Sequence, residues 1–308
     1  MRDPADLYQL SPDQPTEAEL GAPVLVFSLT GFVDAGQASR LAADHLLQSL
    51  EHRLLVRFDL DEIYDYRARR PVLTFDNNHW SDYRDPRLDL YQVTDLAGRS
   101  FLLLLGPEPD LQWERFCVAV QNLVERYQVQ LVIGMHAIPM GVPHTRPVGV
   151  TAHATTPSRV EGYRRWVGEV QVPGHMTGLL EYRLGQAGHE AAGFAAHVPH
   201  YLAQNDYPAA AQVLLESVAR LGSLRLPSQA LATAGAEVQS AVAAQVATQP
   251  EVESVVRALE EQYDSMLASD NSPIGPGPTE LPSADELGAE LERFLAENDG
   301  QGPTPGQV

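Results

Sequence analysis

Short apolar runs alternate along this chain with amphipathic stretches and polar breaks. Residues 23 to 36 read PVLVFSLTGFVDAG. The apolar run from Val24 to Leu29 has the length and β-branched content of a buried strand, and it breaks at Thr30-Gly31 before Asp34-Ala35-Gly36. Beyond it, Ala38, Leu41, Ala42, Leu46 and Leu50 recur at three- and four-residue spacings, which predicts a helix with one buried stripe. Arg53 to Leu60 alternates as a strand does. The order strand, turn, helix, strand predicts a βαβ unit and hence a parallel pair.

Leu88 to Val93 and Phe101 to Leu105, parted by a turn containing Gly98, predict a hairpin. Trp113, Phe116, Val120, Leu123, Val124 and Tyr127 repeat at helical spacing, and Gln130 to Met135 predicts another buried strand. Further strands are predicted over 148–154 and over 191–198, the latter built of small residues. Residues 172–184 read as a loop feeding a helix, and 209–221 as an amphipathic helix after Tyr207-Pro208.

Polar stretches set the boundaries. Residues 1–22 read as a partly ordered arm. Residues 61–87 are rich in Asp, Arg and Tyr with weak periodicity, which predicts surface loop. Such a region is either a cover over a pocket, an interface arm, or a solvated insertion. Composition shifts near Pro227. A core domain over 23–226 is therefore expected, followed by a helical hairpin over 227–268 broken around Gln249-Pro250. Residues 269–308 read as a proline- and glycine-rich linker, a short acidic helix over 284–295 and a disordered tail.

The formal net charge of −20 excludes non-specific nucleic-acid binding, which needs basic surface to neutralise phosphates. All 21 basic residues are arginine. That excludes a Schiff-base lysine and a lysine-bearing phosphate loop. No apolar run reaches transmembrane length, and the N-terminus lacks the apolar core of a secretory signal. The single cysteine, Cys117, lies among apolar residues and reads as core packing. A cytoplasmic location is expected, with no membrane association. The ten histidines form no HExxH or Cys/His set, so no metal site is expected, and no cofactor either. Neither GxGxxG nor GxSxG is present.

Candidate chemistry gathers where predicted strands end. Thr30, Gly31, Asp34 and Gly36 follow the first strand. His136, Gly141, Pro143, His144, Arg146 and Pro147 follow a later one. In a parallel sheet such ends meet at one rim, where ligands are usually bound. An aspartate, two histidines and an arginine there could hold an anion and perform acid–base work. The competing reading is that they satisfy loop backbones or form a subunit interface.

Three stretches, GFVDAG, GMHAIPMGVPHTRPVGVTAHAT and VPHYLAQNDYPAAAQVLLESV, together resemble the PAC2 family, named for a eukaryotic proteasome assembly chaperone. The resemblance spans roughly 23–227, and the long form with C-terminal helices resembles the actinobacterial branch. It implies an α/β fold: a three-layer α/β/α sandwich with a phosphorylase/hydrolase-like core. It also implies a homo-oligomer, with a trimer as the candidate state, and an assembly-chaperone-like role towards a protein partner. Relatives have also carried an ATP-grasp or carboxylate–amine ligase label, against which the missing lysine speaks. The resemblance supplies no catalytic residues. The alternative it leaves open is a binder of, or enzyme acting on, a nucleoside, a nucleotide or another anion.

Overall fold

The computed structural model describes residues 2–163 and 169–268. In chain order the elements are β1 (Tyr8–Leu10), α1 (Glu17–Leu20), β2 (Val24–Thr30), α2 (Ala38–Ser49), β3 (His52–Phe58), β4 (Leu73–Asp76), β5 (His79–Tyr83), β6 (Asp89–Thr94) and β7 (Ser100–Pro107). They continue with α3 (Trp113–Arg126), β8 (Leu131–Met140), β9 (Val150–Ala154), α4 (Met176–Gln186), β10 (Ala191–Pro199), α5 (Pro208–Gly222), α6 (Gln229–Val246) and α7 (Pro250–Ala268). The linker, acidic helix and tail expected after 268 lie outside the described residues.

Eight strands form one sheet in the spatial order β1-β3-β6-β7-β2-β8-β10-β9. β2, β7, β8 and β10 run parallel, whereas β6 and β9 run against them. β2 is buried along nearly its whole length and β10 along all of it, as central parallel strands covered on both faces must be. One face packs on α3 and α4 through Leu25, Phe27, Phe116, Val132 and Leu180. The other packs on α2 and α5 through Val26, Leu46, Ile133, Phe194 and Leu214. Helices on both faces of one sheet make the three-layer α/β/α architecture.

Three expectations are corrected. β2 and β3 point the same way but do not pair, because the β6–β7 hairpin inserts between them. β7 presents the buried row Phe101 to Leu104 and so takes the place beside β2, while β3, with exposed His52, Arg53 and Arg57, suits the outer position. β8 does not stop at Met135. It runs on to Met140, with Pro139 opposite Val198 near the end of the ladder, where a missing N–H is tolerated. Finally, 61–87 holds a two-stranded hairpin, β4–β5, turned at Asn77 with φ +48°. Asn tolerates this left-handed conformation, which is why an Asn-Asn turn closes it.

The N-terminal residues add β1 to the outer edge of β3, and Leu7 is fully buried. α6 packs on α5, with Gly235 so close that a Cβ there would lie 3.1 Å from the Ala209 nitrogen. Cys117 is buried beside Met176, and burial pushes its thiol up to about 12. Among the described residues no helix is long and apolar enough to cross a membrane.

Candidate functional site

Parallel strands end together, so β2, β7, β8 and β10 bring four turns to one rim of the sheet. The two stretches singled out in the sequence both lie on it. After β2, Thr30 Oγ1 donates to the Gly106 carbonyl at 3.4 Å, and Gly31 packs so tightly on Glu108 that a Cβ would lie 2.8 Å from its Oε2. Asp34 bridges to Ala137 of β8. Its Oδ1 accepts the Ser39 N–H at 2.8 Å and its Oδ2 the Arg40 N–H at 3.2 Å. These are two of the N–H groups that a helix leaves unsatisfied, so Asp34 closes the N-terminus of α2. Burial pushes its carboxyl above the usual range, against those two bonds. Gly36 has φ +66°, donates to the Ala203 carbonyl and accepts from Tyr207 N–H, locking the turn onto the segment after β10.

Arg146 goes elsewhere. Its guanidinium forks onto Asp264 and reaches Glu260 at 3.3 Å, both on α7. Thr145 also bonds Glu260, Tyr263 donates to the Pro147 carbonyl, and Gly141 faces Leu259. The Gly141, Pro143 and Pro147 loop is thus the seat of α7. His144 is buried; its backbone N–H donates to the Tyr201 hydroxyl at 2.8 Å, and its Nδ1 lies equally close to that oxygen. Burial lowers its pKa. Asp34 and Arg146 therefore share the rim, but each is held by its own helix.

His136 leads to groups that the sequence reading passed over. On the α4 side of the sheet its ring lies 5.7 Å from that of His153 on β9 and 5.6 Å from that of His175 at the start of α4. His153 Nδ1 stands 2.8 Å from Glu181 Oε2. His175 Nδ1 accepts the Gly178 N–H at 3.2 Å, capping α4 as an uncharged ring. Glu108 Oε1 takes the Met176 N–H and Oε2 the Phe32 N–H, which ties the end of β7 to α4 and to the turn after β2. His136 Nδ1 is buried without a partner among the described residues, and its pKa is pulled down to about 3 by burial and by the two neighbouring histidines. Burial also lowers that of His175. A carboxylate-held imidazole beside two neutral ones can take up or pass a proton. The legible signal was parity: Thr151 and His153 alternate on a strand of small residues, so both face one side.

A second feature stands on the same rim. Opposite residues of an antiparallel pair point to one side. Leu73 faces Tyr83 and Phe75 faces Trp80 across β4–β5, while Thr74 faces Asp82. The hairpin therefore has an apolar face and a polar one. Phe75 and Trp80 stack edge to face at 4.9 Å, yet are 57% and 63% exposed. The base of this arm is held by Arg69, which bonds Asp110 at 2.6 Å and the Glu108 carbonyl, and lies over the Tyr64 ring.

Comparison with known proteins matches residues 28–246 to the profile of the PAC2 family. No curated protein matches. Among solved structures, a protein of unknown function from Mycobacterium tuberculosis is 48% identical, with a TM-score of 0.82, covering 94% of this chain and 96% of its own. A protein of unknown function from Corynebacterium glutamicum is 39% identical over 86% of this chain and 99% of its own, also at 0.82. A proteasome-assembly chaperone homologue from M. tuberculosis is 26% identical over 76% of this chain and 99% of its own, at 0.70.

Proposed function

Because the chain belongs to the PAC2 family, we propose that it is a non-enzymatic homo-oligomeric protein of the cytoplasm that works through protein–protein surfaces, in the manner of an assembly chaperone. The observation that carries this reading is the β4–β5 arm. A two-stranded hairpin is marginal in water by itself, and a row of exposed aromatic and aliphatic side chains marks a surface that another molecule covers. Aromatic residues are also those that dominate binding energy at protein interfaces. The strand-end residues support it from the other side: Asp34 and Arg146 are both engaged in holding helices.

Affinity capture of the full-length protein, with chemical cross-linking under several growth conditions, tests the reading. A stoichiometric partner is expected, and Phe75→Ala/Trp80→Ala should lose it. Recovery of nothing beyond the protein itself would sink the reading. Light scattering after gel filtration should return a multiple of the 33.7 kDa chain mass, a trimer being the candidate state.

The His153–Glu181 pair favours one other reading, a small-molecule site for a nucleoside, nucleotide or other anion beside His136 and His175. A thermal-shift screen decides it, since a ligand of the folded state raises the melting temperature by mass action. A hit that Glu181→Gln abolishes supports this reading; no shift with any such compound removes it.

A further inference from the structure

We propose that the N-terminus of α4, together with His136, His153 and Thr177, binds a small oxyanion, the carboxylate or phosphate group of a small molecule, and takes up one proton with it; this rests on the small-molecule reading of the His153–Glu181 pair.

Two buried polar side chains here lack partners. His136 is 6% exposed and Thr177 5%. Among the described residues, neither ring nitrogen of His136 nor the Thr177 hydroxyl makes a hydrogen bond. Polar groups taken out of water without a partner carry a free-energy cost, and a bound group that pairs with them removes it. The two stand together. Thr177 is the second residue of α4, and its methyl sits over Gly134, where an added Cβ would lie 3.2 Å from it. Gly134 and His136 lie two places apart on β8 and share a face. The His136 ring is flanked by those of His153 and His175.

Donors converge on this spot. Glu108 takes the Met176 N–H and His175 Nδ1 takes the Gly178 N–H. The Thr177 N–H between them bonds no described residue. Because His175 Nδ1 accepts, the neutral ring carries its proton on Nε2 and offers a further donor. The Thr177 hydroxyl is another, and a neutral His136 holds one more. A helix N-terminus adds its partial positive charge, which favours an anion.

Charge requires the proton. Glu108 and Glu181 both border the cluster, so an anion arriving there needs a cation beside it. Burial lowers the pKa of His175, and burial with the neighbouring rings pulls that of His136 down to about 3, so both enter as neutral donors. His197 of β10, on the same face, is bonded to Thr151 and is drawn down to about 4 by burial. His153 remains. Its Nδ1 stands 2.8 Å from Glu181 Oε2, and its ring lies on Gly193, where a Cβ would be 2.9 Å from Nε2. That Nε2 bonds no described residue. A proton on it makes a charged donor towards the oxyanion, with the Glu181 carboxylate balancing the ring from the other side.

Calorimetric titration of the full-length protein with acetate and with sulfate, in millimolar excess, is the test. Sulfate stands in for a phosphate group, and neither probe titrates between pH 6 and pH 8. At least one should bind, roughly tenfold more tightly at pH 6 than at pH 8, because a complex that gains a proton weakens as pH rises. Buffers of different ionisation enthalpy should show about one proton taken up at pH 8. His153→Gln should remove the pH dependence and hold affinity at the pH 8 level. Thr177→Val should weaken binding roughly tenfold at both pH values, while Thr177→Ser, which keeps the hydroxyl, should bind as wild type does. Melting temperatures confirm that each variant is folded. Binding of acetate alone assigns a carboxylate, and of sulfate alone a phosphate. Binding of neither at pH 6 overturns the proposal, as do equal affinities at the two pH values, a pH dependence that survives His153→Gln, or loss of binding in Thr177→Ser as complete as in Thr177→Val. An uncharged nucleoside that raises the melting temperature where neither anion binds leaves the small-molecule reading standing; that reading falls only when the whole screen gives no shift.

Discussion

Arg146 forks onto Asp264 across 118 positions of sequence, Nε to Oδ1 at 2.8 Å and the terminal nitrogen to Oδ2 at 2.7 Å. This bidentate pair, joined by Glu260, fastens α7 to the loop after β8. Planar two-point geometry is specific to arginine. Arg146→Ala should speed hydrogen exchange across 250–268 several-fold while leaving β2, β8 and β10 unchanged, and Arg146→Lys should restore only part of the protection. Slowed or unchanged exchange in α7 would show that Leu259 and Tyr263 hold it without the arginine.

Gly36 has no room for a side chain. Its φ is +66°, and an added Cβ would lie 2.7 Å from that of Tyr207. Gly36→Ala should lower the free energy of unfolding by about 1–3 kcal/mol, read from the urea midpoint at unchanged slope.

Asp34 caps α2 with both carboxylate oxygens, at a position where burial raises its pKa. Asp34→Ala should cost about 1–2 kcal/mol. Asp34→Asn should cost less, since an amide oxygen still accepts one N–H and no buried charge remains. Equal costs for the two variants would mean that the charge itself matters at this position.

Acid should destabilise the fold through its histidines. Burial pulls the ring pKa down to about 3 at His136 and about 4 at His197, from an ordinary 6.5. Between those values the unfolded chain binds more protons than the folded one, so stability falls as pH drops from about 6.5. Each such histidine contributes up to about 1.4 kcal/mol per pH unit. His175 adds to this, since a protonated Nδ1 no longer accepts the Gly178 N–H. Denaturation curves between pH 4 and 8 check the slope, and His136→Phe should flatten it. A slope unchanged in that variant would place the proton uptake elsewhere.

Most elements were legible because they are written in local periodicity. The stripe of Ala38, Ala42 and Leu46, the apolar run of β2 and the proline before α5 each identify an element without reference to the rest of the chain. β4–β5 was not legible: its strands are short, wholly exposed and closed by an Asn-Asn turn. The histidine cluster escaped because His136, His153 and His175 come from three separate elements and share no spacing.

Sequence by itself determined that this is an α/β chain, that it cannot cradle phosphate with lysine, and that strand ends would hold its polar turns at one rim, since those properties follow from composition and from the period of apolar residues; the likeness to the PAC2 family rested on three particular stretches of residues. Only the tertiary structure decided what the marked residues do there. Asp34 meets the amides of α2 and Arg146 meets Asp264 because the sheet order brings distant turns together, and that order was set by which strand could be buried on both faces. The bulk of β7 put it beside β2, displaced β3 outward, and left the arm between β3 and β6 standing on the rim with its aromatic face uncovered among the described residues.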